Sequence, residues 1–175
     1  MMYYSLPLII LSVKRYDTGM AIEIEKKFLV CNDNWLKFAT KSIAYVQGYF
    51  STNEACSIRI RISEDKASLN IKSATLGITR SEYDYPVPVE DAQEMLRTLC
   101  NKPLIEKTRY TVPVDHHLWE IDVFSGENKG LVVAEIELES VDDSITLPDW
   151  IGEEVSHDPR YYNVCLVEHP YKDWK

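Results

Sequence analysis

"AIEIEKKFLV", residues Ala21 to Val30, decides how the rest of the chain is read. With a period of two it puts Ile22, Ile24 and Phe28 on one side and Glu23, Glu25 and Lys27 on the other. The apolar side is that of a strand facing a core. The polar side lines up two carboxylates and an ammonium, with same-side neighbours about 7 Å apart.

The alternation recurs in "AYVQGYFS", "CSIRIRIS", "ASLNIKSA", "TRSEYDYPV", "EKTRYTVPV", "LWEIDVF" and "LVVAEIELES". Short turn-like stretches, "TNEA", "SEDK" and "SGENKG", separate several of these runs and predict antiparallel hairpins. "VEDAQEMLRTLC" (Val89 to Cys100) has helical spacing, with Glu90 and Asp91 in its first turn. A second helix is predicted over "PRYYNVCLVEH" (Pro159 to His169). The fold class is mostly β (α+β), with about eight strands and two or more helices.

The polar faces carry the functional signal. They hold Arg59 and Arg61, then Asn70 and Lys72, then Arg80, Glu82 and Asp84. Further along come Lys107 and Arg109, Glu120 and Asp122, and Glu135, Glu137 and Glu139. A solvated sheet face explains any one of these rows, but a solvated face avoids like charges side by side. Two carboxylates about 4 Å apart repel by about 4 kcal/mol at an effective dielectric near 20. Acidic rows become favourable beside divalent cations, and basic rows beside a polyanion. A metal-bound chain of phosphates meets both needs. About eight antiparallel strands can close into a barrel and remove their edges. With the charged faces inward, the lumen is polar, and helices must cover the apolar exterior.

Composition bounds the rest. The 175 residues suit one domain, and 45% hydrophobic with 27% charged residues is a globular balance. A net charge of −9 argues against a nucleic-acid footprint. The apolar run Leu6 to Val13 is too short to span a membrane, and its basic pair Lys14–Arg15 follows the run rather than preceding it, unlike a signal peptide. Residues 1–19 are therefore expected to be an upstream extension or an N-terminal arm, with residues 20–175 forming the domain. Cys31, Cys56, Cys100 and Cys165 show no C-x-x-C spacing and read as reduced, mostly buried thiols of a cytoplasmic protein. His116 and His117 read as a solvated loop pair, and "PDWIGEEV" as a cap on the barrel.

"EIEKK" at Glu23–Lys27 resembles the E-x-E-x-K signature of the CYTH superfamily, the triphosphate tunnel metalloenzymes. The likeness continues through "QGYF", "SIRIRI", "NIKS", "RSEYDYPV", "EKTRY", "EIDVF", "AEIELES" and "WIGEEVSHDPRYYN". It is nearest to the small bacterial members that hydrolyse inorganic tripolyphosphate. The resemblance implies an eight-stranded antiparallel tunnel, a small-molecule triphosphate substrate and Mg²⁺ or Mn²⁺. It implies that Glu23, Glu25, Glu135 and Glu137 hold metal, and that Lys27, Arg59, Arg61, Lys72, Lys107 and Arg109 bind phosphate. Arg80, Glu82, Glu120 and Asp122 follow as candidates for substrate binding, a second metal or orientation. Glu23 and Glu137 are the candidates to position or deprotonate water, and Tyr49 with Lys107 forms the suggested catalytic pair. In the C-terminal plug, Tyr162 and Val164 stand where lysines are expected, which leaves substrate choice open. An adenylate cyclase, a thiamine triphosphatase and a non-catalytic capture module remain alternatives. Small members resembling this chain often pair, so a homodimer is the suggested assembly.

Overall fold

The computed structural model describes residues 22–51, 55–73 and 78–174, without the side chain of Ile22. The expected extension and most of the "TNEA" turn lie outside the described residues. The alternating runs form β1 (Ile22–Val30), β2 (Lys41–Tyr49), β3 (Cys56–Ser63), β4 (Lys66–Ser73) and β5 (Thr79–Val87). After helix α1 (Val89–Thr98) come β6 (Ile105–Val114), β7 (His117–Phe124), β8 (Val132–Glu137) and β9 (Ile151–Glu154).

All pairings are antiparallel, in the order β5-β4-β3-β2-β6-β7-β8-β1-β9. A further β1–β5 pairing, with Glu23 opposite Arg80, closes the first eight strands into a barrel. Strand β9 is an addition to the outer edge of β1, across a register irregularity between Phe28 and Val30. It occupies part of the stretch expected to cap the barrel.

The apolar exterior is covered in two places. Phe28, Val112, Trp119, Ile121, Ala134 and Ile136 pack under Trp35, from the short helical turn Asn34–Phe38, and under Trp150. The Trp119 and Trp150 rings meet edge to face at 5.5 Å. On the other side, Ala92 and Leu96 of α1 pack on Ile60 and Ala67. Here the helix passes very close to β2. A Cβ added at Gly48 would lie 2.7 Å from the Cys100 Cβ and 2.9 Å from the Leu96 Cδ2. Gly48→Ala is therefore expected to cost about 1–3 kcal/mol through overpacking, read as a lower urea midpoint.

Two expectations change. The lumen is not polar throughout: Tyr49, Ile105, Phe124, Leu131 and Val133, near the ends of inward-facing rows, form an apolar plug with Leu166 and Val167. The C-terminal helix is also not continuous. It divides into a helical turn at Pro159–Tyr161 and the four-residue α2 (Cys165–Glu168). The turn is capped by Asp158, which accepts from the Arg160 backbone N–H, and Tyr162 leaves it in an extended conformation, donating to the Ser156 carbonyl at 2.8 Å. The cysteines are less buried than expected: Cys31 is exposed and the other three are half-buried. No helix among the described residues is long and apolar enough to cross a membrane.

Candidate functional site

The buried charged side chains Lys27, Arg59, Lys107, Asp122 and Glu135 all lie on the inward faces of their strands. Burial of so many charges is tolerable only with close partners. Strand register supplies them. Lys27 stands opposite Glu135, Lys72 opposite Glu82, and Arg109 opposite Asp122. The rows expected to repel one another are thus largely interleaved with rows of opposite sign. Two like-charge pairs remain among the described residues: Glu25 faces Glu137 across β1 and β8, and Glu120 faces Glu135 across β7 and β8, with Arg109 pairing to both of the latter.

Three linked clusters line the lumen. In the first, Glu23 accepts from Lys72 at 2.9 Å and from Arg80 at 2.6 Å, while Arg80 also reaches Glu25 at 3.2 Å and Lys72 reaches Glu82 at 3.0 Å. In the second, Lys27 donates to Glu25 and Glu135. In the third, Arg109 forks onto both oxygens of Asp122 at 2.7 Å and also pairs with Glu120 and Glu135. Lys107 completes this cluster by donating to Asp122, which is fully buried. Both oxygens of Asp122 are therefore engaged by cations of β6.

Arg59 and Arg61 lie across the lumen on β3. Arg59 donates to Asn70 at 3.2 Å and to Gln47 at 3.4 Å, and Arg61 reaches the half-exposed Asp84 at 3.5 Å. Tyr49 is buried in the apolar plug, where its hydroxyl accepts from Gln47 at 3.4 Å. Tyr49 thus bonds Gln47 and also lies against Arg59, while Lys107 bonds Asp122.

The charges shift one another strongly. Burial pushes Glu23 upward, but Lys72 and Arg80 outweigh it and hold the carboxyl near 2. Glu135 is held well below the usual carboxylate range, because Lys27 and Arg109 overcome its burial. Burial pulls Lys107 down to about 8, against the attraction of Asp122. Glu82 and Glu120 are raised, chiefly by burial.

A folded pKa near 2 against an ordinary 4.5 means that the stability from Glu23 is complete above about pH 4.5 and is lost as pH falls toward 2. The amount is about 3 kcal/mol. With chelator present, the drop in urea midpoint over that window is expected to be smaller in Glu23→Gln than in the parent. The difference between the two separates Glu23 from the opposing contribution of Glu120, and it includes the relief of Glu82, which Glu23 helps to raise.

The C-terminal segment adds residues that strand alternation does not single out. Ser156 and Tyr162 join Glu25, Lys27, Ile78 and Arg80 around a small cavity. Ser156 Oγ accepts from the Lys27 backbone N–H at 3.0 Å and donates to Glu154 at 2.8 Å. Gln47 and Asn70, both fully buried, link Arg59 of β3 to the lumen wall.

The oxygen donors suit a hard divalent cation. Glu137 is exposed and makes no ion pair among the described residues, although Glu25 stands opposite it. Like carboxylates in such a cross-strand pair are destabilising unless a cation joins them.

Fold and site together define an antiparallel barrel with an inward-facing, charge-paired lumen. The CYTH domain model matches residues 21–162, and the chain belongs to that family. An inorganic triphosphatase of Acetivibrio thermocellus is 48% identical over 156 residues, covering 89% of this chain and 99% of the relative. One from Nitrosomonas europaea is 35% identical over 151 residues, covering 83% and 96%. The crystal structure of the inorganic triphosphatase NE1496 superposes with a TM-score of 0.60 at 32% identity, covering 83% of this chain and 93% of that one.

Proposed function

We propose that the chain is a metal-dependent triphosphatase that hydrolyses inorganic tripolyphosphate inside the barrel. The observation that carries this reading is the lumen itself: acidic and basic side chains converge there in numbers that a single anion or a single cation would not need. The named activity of relatives that align over most of their length supports the same reaction.

Lys27, Arg59, Arg61, Lys72, Arg80, Lys107 and Arg109 are assigned to the phosphate chain. The arginines can fork onto two oxygens, while the lysines act as point charges. Each must exchange carboxylate partners for phosphate oxygens. Glu23, Glu25, Glu135 and Glu137 would hold Mg²⁺ or Mn²⁺, which would neutralise phosphate charge and polarise the anhydride. Asp122 holds Arg109 and Lys107 in place from the lumen wall. Glu137, at the exposed end of its strand, would orient the attacking water together with Glu23, two residues along β1 from its partner Glu25. Lys107, with a pKa brought down to about 8, can exchange a proton near neutrality. Tyr49, beside Gln47, helps position the inner end of the chain.

The test is phosphate release from tripolyphosphate, ATP and thiamine triphosphate, with Mg²⁺, with Mn²⁺ and with chelator. Fast release from tripolyphosphate that chelator abolishes is expected. ATP consumed with cyclic nucleotide as product would replace this reading with the cyclase. Tight binding without turnover of any of the three would make the chain a capture module. We propose further that residues 20–175 act as one domain, that the protein works in the cytoplasm without nucleic-acid or membrane partners, and that it pairs as a homodimer.

A further inference from the structure

The hairpin joining β6 to β7 turns through Asp115 and His116, with Val114 paired to His117. Asp115 has a positive φ of 53°. Neighbouring side chains on a strand point to opposite faces, but the turn brings the His116 and His117 rings to 4.1 Å, centre to centre. The segment after β8 folds back against this tip. Its Ser140–Asp143 turn, closed by the Asp143 N–H on the Ser140 carbonyl at 3.2 Å, presents Asp143 to the histidines. Asp143 Oδ2 lies 3.2 Å from His117 Nε2, and the His117 side chain is only 10% exposed. Thr146 donates to Asp115 at 2.6 Å, tying the same segment down a second time. The ligand atoms of His116, His117 and Asp143 all lie within 4.8 Å of one another.

We propose that His116, His117 and Asp143 form a second metal site, outside the lumen, for a borderline divalent cation of the Zn²⁺ class. The spacing fits such an ion. Zinc bonds of about 2.0–2.2 Å in tetrahedral geometry put ligand atoms about 3.4 Å apart, close to the separation already present between His117 and Asp143. Two imidazoles favour zinc, nickel or cobalt over magnesium, which takes oxygen ligands. Three protein ligands leave room for water. The hairpin tip lies at the end of the barrel opposite the apolar plug, with Glu120 three residues, about 10 Å, along β7 from His117. An ion here would clasp the segment after β8 onto the hairpin that carries Arg109 and Asp122. The reading of these histidines as a solvated loop pair does not fit the burial of His117.

The experiment is a Zn²⁺ titration of the full chain in excess Mg²⁺, which occupies oxygen-only sites, followed by imidazole ¹H–¹⁵N correlation spectra. The four histidines make the spectrum simple to assign. His116 and His117 ring signals are expected to shift together and saturate at one Zn²⁺ per chain, while His157 and His169 stay in place. Asp143→Asn is expected to weaken binding at least about tenfold, the lower end of what even indirect ligand partners contribute. His116→Ala, at an exposed position, should do the same without disturbing the fold. Zinc that leaves the His116 and His117 signals unmoved at one equivalent, shifts all four histidines alike, or binds both variants as tightly as the parent would overturn the site. Because the readout is binding outside the lumen, it stands apart from the triphosphatase assay.

Discussion

Glu25→Ala is expected to lower kcat/KM for tripolyphosphate about a thousandfold, equivalent to about 4 kcal/mol of transition-state stabilisation. Glu25 occupies the junction of the acidic set. It faces Glu137 across the strand pair and touches both Lys27 and Arg80. On the proposed assignment its loss would remove a metal ligand, and it leaves Glu137 without the carboxylate it faces. The fold should survive, because Lys27 keeps Glu135 and Arg80 keeps Glu23. Raising the metal concentration should recover part of the rate if the loss is one of metal affinity. A rate within a few-fold of the parent at all metal concentrations would remove Glu25 from the mechanism.

Arg109→Met should act on the fold as well as on activity. Arg109 pairs with Glu120, Asp122 and Glu135, and Asp122 has no solvent exposure. Removing one member of a buried ion-pair network leaves the others uncompensated, at a cost of about 3–5 kcal/mol. Chemical denaturation should show this as a lower midpoint with an unchanged slope. Arg109→Lys is expected to recover little, since an ammonium cannot fork onto Asp122 and reach Glu135 at the same time. A lysine variant as stable and active as the parent would show that charge alone, rather than the planar fork, is what the site requires.

The strands were legible because each alternates cleanly. An inward charged face was legible because charge recurred on strand after strand. Their neighbours were harder to read. A strand displays the sign of its own row, but only register shows that Lys27 meets Glu135 or that Glu23 meets Arg80. The expected repulsion between acidic rows therefore reduces to Glu25–Glu137 and to Glu120–Glu135, the second bridged by Arg109. The four residues of β9 are too few to show a period, and in "IGEE" the alternation is absent. The apolar plug was hidden for a different reason. Tyr49, Phe124 and Val133 look like ordinary strand residues until Leu166 and Val167, far past the end of β8, pack against them. Ser156 and Tyr162 likewise acquire their place only through the fold of the C-terminal segment.

The two sets of charges are expected to hold metal and triphosphate together inside one barrel. Crystals grown with Mn²⁺ and an imido-bridged, hydrolysis-resistant tripolyphosphate analogue test it most directly, through anomalous diffraction at the manganese edge. An anomalous peak is expected within the set Glu23, Glu25, Glu135 and Glu137, with the phosphate chain against Lys27, Lys72 and Arg109. Manganese confined to the outer surface, or a phosphate chain lying outside the barrel, would contradict it.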